Sequence, residues 1–243
     1  GGWIPPDLAE LGGSTHRHLG GYYGMVKRLD EAYGRIQDAL KSLGLSDNTI
    51  VLFTSDHGCH FRTMNGEYKR SCHESSIRVP TVFTGPGFRG GGRLEELVSL
   101  VDLPPTLLEA AGIKTPVSMQ GKSIVPILGG DQHDWQEEVF IQISESQTAR
   151  AVRTARWKYG VDAPDATDPG TDHFVEQYLY DLKADPYELN NLVGLESHGP
   201  VSQFLSKRLI RRMSEAGENI PHIEPADVIP SGQYRVSDVE VRS

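Results

Sequence analysis

Thr49-Ile50-Val51-Leu52-Phe53-Thr54-Ser55-Asp56-His57-Gly58 joins a short, β-branched apolar run to a polar tetrapeptide that closes on glycine. The run has the composition of a strand buried on both faces. Before it, Val26, Leu29, Tyr33, Ile36, Leu40 and Leu43 alternate steps of three and four, which predicts one apolar helical face over Tyr22 to Leu43, ended by Gly44. A helix followed by a buried strand predicts an α/β sheet. The polar Ser55-Asp56-His57-Gly58 then falls at the strand's C-terminal end, where open α/β sheets place their ligand sites.

Farther along, Val79 to Thr84 reads as a second short strand closed by Gly85-Pro86-Gly87, and Gly90-Gly91-Gly92 as a surface loop. Asp102-Leu103-Pro104-Pro105 starts a short helix that Ala110-Ala111-Gly112 ends. From Val139 the texture changes. Val139–Ile143, Ala151–Thr154, Trp157–Val161 and Tyr178–Leu182 are strand candidates separated by polar turns, which predicts a small antiparallel sheet. Phe204, Leu205, Leu209, Ile210 and Met213 carry a last helical spacing. The expected division is 1–135 for an α/β part and 136–243 for a small C-terminal α+β part and tail.

Composition narrows the function. The 243 residues are 37% hydrophobic, enough for a substantial core, and the net charge of −9 comes without any long basic run. Nucleic acid is therefore not an expected partner. No apolar run approaches the roughly 18 residues of a membrane-spanning helix. The two cysteines, Cys59 and Cys72, allow one bridge at most. Gly1-Gly2-Trp3-Ile4-Pro5-Pro6 has neither an initiator Met nor a signal-peptide pattern, so the native beginning is expected upstream.

Asp56-His57 offers a carboxylate and an imidazole on adjacent residues, which grip a metal if the turn aims both inward. The alternative at this level is a turn-capping Asp56 and a His57 packed under the loop. Glu67-Tyr68-Lys69-Arg70-Ser71-Cys72-His73-Glu74 crowds charged and imidazole groups before a strand, which suits a cationic wall for an anion. His60, Arg62 and His73 belong to the same loop and are candidates to line a pocket, although a solvated loop explains them equally well. Cys72-His73 does not by itself identify a thiol nucleophile, because catalytic pairs meet in space rather than in sequence. His16 and His18 read as a polar lead-in loop.

In order and spacing, Thr54-Ser55-Asp56-His57-Gly58, Lys69, Glu74, Arg78-Val79-Pro80 and Gly85-Pro86-Gly87 resemble the C-terminal signature of the sulfatase family. Leu29-Asp30 with Gly34-Arg35, Asp47-Asn48-Thr49, Leu100 to Gly112, Gln120-Gly121-Lys122-Ser123, Arg153-Thr154, Trp157-Lys158-Tyr159, Leu179-Tyr180-Asp181-Leu182 and Asp185-Pro186 extend the resemblance over roughly residues 20 to 195. It implies an α/β fold with a partial alkaline-phosphatase-like sheet and flanking helices, followed by a small C-terminal antiparallel subdomain. It also implies a divalent cation, usually Ca²⁺ with Mn²⁺ or Mg²⁺ as alternatives, that holds a sulfate against a formylglycine made from Cys or Ser. By the same resemblance Asp56 and His57 are metal ligands and Lys69 contacts the sulfate of a sulfated small molecule or carbohydrate. A histidine ligand keeps transition metals in play. Such an enzyme would suit a periplasmic or secreted setting; neither compartment nor oligomeric state is legible here.

The chain departs from the family in one respect that matters. Neither Cys59 nor Cys72 stands in a Cys/Ser-x-Pro-Ser-Arg motif, and the family's early Asp-Asp pair is absent from the 243 residues. The expectation is a sulfatase fragment without its nucleophile. Two other readings remain: hydrolysis of a phosphodiester or phosphonate ester on the same scaffold, and a noncatalytic anion-binding module. Against the two-zinc phosphodiesterases, Asp30 is followed four residues later by Gly34 and not by the histidine those enzymes need.

Overall fold

The structure, a computed structural model, describes residues 4, 6–10, 12, 15–131, 134–165 and 168–243. A five-residue helix, α1 (Pro6–Glu10), precedes the long α2 (Thr15–Ser42). The helix thus begins earlier than its apolar spacing indicates and takes in His16 and His18, which are not a lead-in loop. Gly44 ends α2 in the left-handed region at φ +67. The Leu45 N–H donates to the Leu40 carbonyl at 2.9 Å and the Gly44 N–H to Lys41 at 3.1 Å, a paired closure that satisfies the last carbonyls.

β1 (Val51–Phe53) pairs antiparallel with β2 (Val82–Thr84), and the short α3 (Glu74–Ile77) lies between them in the chain. The expected burial of Thr49–Thr54 on both faces is not reached: Val51 and Leu52 are half-buried and Phe53 is exposed. The physical reason is that β1 has only β2 beside it among the described residues. At Gly85 a Cβ would stand 2.3 Å from the Thr49 carbonyl oxygen, so only glycine lets the turn after β2 close over the start of β1.

One 3₁₀ turn, Leu100–Asp102, leads into α4 (Leu103–Ala110). Asp102 is buried and gathers the segment: its carboxylate accepts from the Ser99 and Lys122 N–H groups at 2.7 and 2.8 Å and from Gln136 Nε2 at 2.8 Å. Gly121 makes this approach possible, since a Cβ there would meet the Val101 carbonyl at 1.8 Å. A single helical turn, α5 (Val125–Leu128), completes this part.

The C-terminal part is a five-stranded sheet in chain order. β3 (Glu138–Ser144), β4 (Thr148–Thr154), β5 (Trp157–Asp162) and β6 (His173–Asp181) form the expected antiparallel meander, with longer strands than their apolar cores suggest. The chain then crosses through α6 (Gly199–Glu215) and returns as β7 (His222–Glu224), parallel to β6. It ends near α7 (Asp238–Val241). Val201, Leu205, Leu209 and Met213 of α6 pack on Val152, Trp157, Tyr159, Val161, Phe174 and Leu179 of the sheet, and the tail adds Val236 and Val241. The opposite sheet face holds the small Ala149 and Ala151 against Cys72, so the loop before α3 lies close on it.

Candidate metal and anion site

Beyond β1 the backbone turns at Ser55, whose hydroxyl donates to the His57 carbonyl at 2.8 Å. Gly58 lies under α3, its N–H donating to the Ser76 carbonyl at 2.7 Å. A Cβ at Gly58 would stand 2.1 Å from the Ser75 carbonyl oxygen, so this glycine is what lets the strand-end turn press against the helix. That turn fixes the two side chains the sequence singles out. The His57 N–H donates to Asp56 Oδ1 at 2.9 Å, and His57 Nδ1 lies 2.9 Å from the Gly58 carbonyl oxygen.

A carbonyl oxygen only accepts, so the imidazole carries its proton on Nδ1 and presents a lone pair at Nε2. That lone pair faces Asp56 Oδ2 at 3.3 Å, and the Lys69 ammonium donates to the same nitrogen at 2.9 Å. Two acceptor atoms so close together require positive charge beside them, and Lys69 supplies it. Desolvation pushes the Asp56 carboxyl up, but the His57 N–H and the electrostatic pull of His57, with a smaller share from Lys69, outweigh it, and the net pKa lies below the usual carboxylate value. The three residues meet at an open corner, not in an enclosed cavity: the Asp56 side chain is 81% and the His57 side chain 39% exposed. An O,N donor pair of this kind fits part of the coordination shell of a divalent cation.

The remaining candidates are placed differently. Arg62 is exposed, its guanidinium 4.7 Å from the centre of the Tyr68 ring. It follows Phe61, and both hold positive φ (51 and 65), a strained pair of non-glycine residues next to the corner in sequence. His60 is fully buried, and neither ring nitrogen has a hydrogen-bond partner among the described residues; burial holds its pKa below the ordinary value. His73 is buried as well, with Nδ1 bonded to the Ser71 hydroxyl and Nε2 3.1 Å from the Tyr180 hydroxyl. Desolvation and then the nearby Lys158 charge drive its pKa down to about 3. The structure places His60 and His73 inside the fold, away from solvent. Cys72 is likewise no nucleophile: it is buried, and desolvation pushes its thiol up to about 12. Both cysteines are free.

Sequence reasoning missed the group that holds the corner's loop to the C-terminal sheet. Lys158, 1% exposed, places Nζ 2.8 Å from Glu74 Oε1 and 2.6 Å from Glu188 Oε1. The Glu74 N–H donates to Glu188 Oε2 at 2.7 Å, and Arg153 Nε lies 3.4 Å from Glu74 Oε1. Desolvation raises both carboxyls; at Glu74 the Lys158 and Arg153 charges prevail and the net is lowered, whereas Glu188 stays raised. The sequence signal was a lysine in the middle of an otherwise apolar strand, Trp157-Lys158-Tyr159, which needs a buried counter-charge.

Two family models match the chain: "N-sulphoglucosamine sulphohydrolase, C-terminal" over residues 66–215 and "Sulfatase" over residues 6–113. Arylsulfatase K of Rattus norvegicus is 35% identical over 181 residues, covering 70% of this chain and 31% of that protein. A solved structure of a protein in complex with its substrate D-glucosamine-2-N,6-O-disulfate superposes with a TM-score of 0.66 at 28% identity, covering 81% of this chain and 40% of the other. The phosphonate monoester hydrolase of Agrobacterium radiobacter superposes with a TM-score of 0.65 at 26% identity, over 80% of this chain and 40% of the other. The chain thus spans about a third of the length of the curated relatives it matches. Among the described residues no helix is long and apolar enough to cross a membrane. The strand-end motif, the two-part α/β architecture and the matching models converge on one assignment: the chain belongs to the sulfatase family, within the alkaline phosphatase superfamily.

Proposed function

We propose that the chain is the C-terminal part of a sulfuric ester hydrolase that acts on a sulfated carbohydrate or aryl sulfate. In this reading Asp56 and His57 supply part of a divalent-cation site, usually calcium, and Lys69 contacts the sulfate. One observation carries it: Asp56 Oδ2 and His57 Nε2 lie 3.3 Å apart with a cation, the Lys69 ammonium, already against the nitrogen. The Gly58 carbonyl orients the imidazole, and the His57 N–H orients the carboxylate. Bound there, a divalent cation would polarise a sulfuryl oxygen. Lys69, relieved of His57, would face the anion and stabilise charge on its non-bridging or leaving oxygens.

The further cation ligands and a formylglycine nucleophile would come from outside these 243 residues, which carry no Cys/Ser-x-Pro-Ser-Arg motif. The open corner suits a site whose other wall is built by such a segment. Arg62, exposed on the same loop, is the remaining candidate for a substrate contact. The change from α/β to meander supports a division into residues 1–135 and 136–243.

The test is a parent protein that includes this chain and a matured nucleophile, assayed on an aryl sulfate and on sulfated glucosamine. Asp56→Ala and Lys69→Ala should each lower kcat/KM by about 100-fold or more. Full activity in either variant would refute the corner's role. A second reading rests on the phosphonate hydrolase likeness, since the same charges serve phosphoryl oxygens. Turnover of phosphonate monoesters with no sulfate ester accepted would select it.

A further inference from the structure

We infer that His173, His222 and Glu224 form a binding site for one divalent transition-metal ion, zinc foremost, which clasps β7 to the sheet. The site follows from strand pairing. In the parallel β6–β7 ladder His173 is the register partner of His222, and Val175 that of Glu224. Side chains alternate along a strand, so His222 and Glu224 project from the same face of β7. The two imidazole rings stack with centroids 5.7 Å apart at 29°, and His173 Nε2 lies 2.9 Å from Glu224 Oε1.

One ligand atom from each of the three residues lies within 4.8 Å of the other two. Tetrahedral zinc with ligands at about 2.0–2.2 Å needs its donors roughly 3.3 Å apart. One contact is already that short, and His222 and Glu224 are exposed side chains free to close the rest by rotation. Two imidazoles and one carboxylate are the donor set of zinc, copper or nickel and not of calcium, which prefers oxygen throughout. The site is on the five-stranded sheet, whereas Asp56 and His57 lie in the turn after β1 of the two-stranded one.

A clasp here has mechanical consequences. β7 is only three residues long and forms the sheet's edge, a marginal ladder by itself. It stands between α6 and the tail that returns Val236 and Val241 to the core. Metal bound across β6 and β7 would hold that crossover closed, because it binds the paired strands and not the separated ones.

The probe is Zn²⁺ alone, titrated calorimetrically into the 243-residue chain carrying Asp56→Ala, with amide hydrogen exchange followed with and without the ion. One equivalent should bind, and His173→Ala or His222→Ala should each weaken it by about tenfold or more. Exchange across residues 218–229 should slow several-fold on adding Zn²⁺, and in His222→Ala it should not. Because His222 and Glu224 are exposed, Glu224→Gln provides a further variant that leaves the core untouched. Absence of saturable Zn²⁺ binding, or binding unchanged in both histidine variants, would overturn the proposal, as would exchange in 218–229 indifferent to the ion.

Discussion

Helices α6 and α2 carry apolar stripes of comparable regularity, yet the molecule uses them in opposite ways. Val201, Leu205 and Leu209 of α6 are completely buried against the five-stranded sheet. On α2, Val26, Leu29, Ile36 and Leu43 are 45%, 54%, 55% and 70% exposed. Neighbouring β1 and β2 make only a two-stranded ladder, and Phe53 and Val82 are exposed on it. Periodicity therefore tells which face of an element is apolar but not whether anything covers it. An open stripe of this extent marks a surface that wants a covering layer.

The sharpest way to break this contrast is to attack the joint between the two parts. Lys158→Met leaves Glu188 buried without a counter-charge and Glu74 with Arg153 alone, and should cost about 3–5 kcal/mol of unfolding free energy. Urea titration checks it; a loss below about 1 kcal/mol would mean the joint is solvated and the two parts are held otherwise.

Core truncation comes next in size. Leu209→Ala should cost about 2–5 kcal/mol, whereas Leu29→Ala on α2 should stay within about 0.5 kcal/mol. Comparable losses at the two sites would show that α2 is covered in solution. Hydrogen exchange on the same samples should find the amides of α2 far less protected than those of β4 and β5.

The smallest effect is a pH slope from the seam itself. His73 has its pKa depressed from 6.5 to about 3, so below about pH 6.5 the unfolded chain binds a proton that the folded chain refuses. Stability from this group is thus lost as pH falls toward 3. Asp162 works the other way: burial raises it from 3.8 to about 6, so the folded chain gains stability as pH falls through that window. His73→Gln removes the first effect and keeps the second. The stability advantage of the wild type over His73→Gln should shrink by up to about 3 kcal/mol between about pH 7 and pH 4.5. An advantage independent of pH would mean that His73 titrates as an exposed histidine.

Most of the fold was legible because its elements repeat regularly. The stripes of α2 and α6 and the alternation in β3 to β6 are local properties of the sequence. β7 was not legible, since three residues, His222-Ile223-Glu224, carry no period and owe their pairing to β6. The burial of β1 was over-read because an apolar run does not reveal how many neighbours a strand has. Asp56, His57 and Lys69 could be singled out by the strand-end position together with the family resemblance, and they do meet. The burial of His73 could not, because its partner Tyr180 lies 107 residues away. Loop membership is a poor guide to exposure when a second sheet packs on the loop.

The most direct test of the central claim is an aryl-sulfate assay on the purified 243-residue chain with Ca²⁺, Mg²⁺ or Mn²⁺ added. On the proposed reading the cation site and Lys69 would polarise the ester but supply no nucleophile, so no multiple turnover should occur with any of the three ions. Metal-dependent multiple turnover that disappears in Asp56→Ala would contradict the account, because the chain would then contain a complete active site.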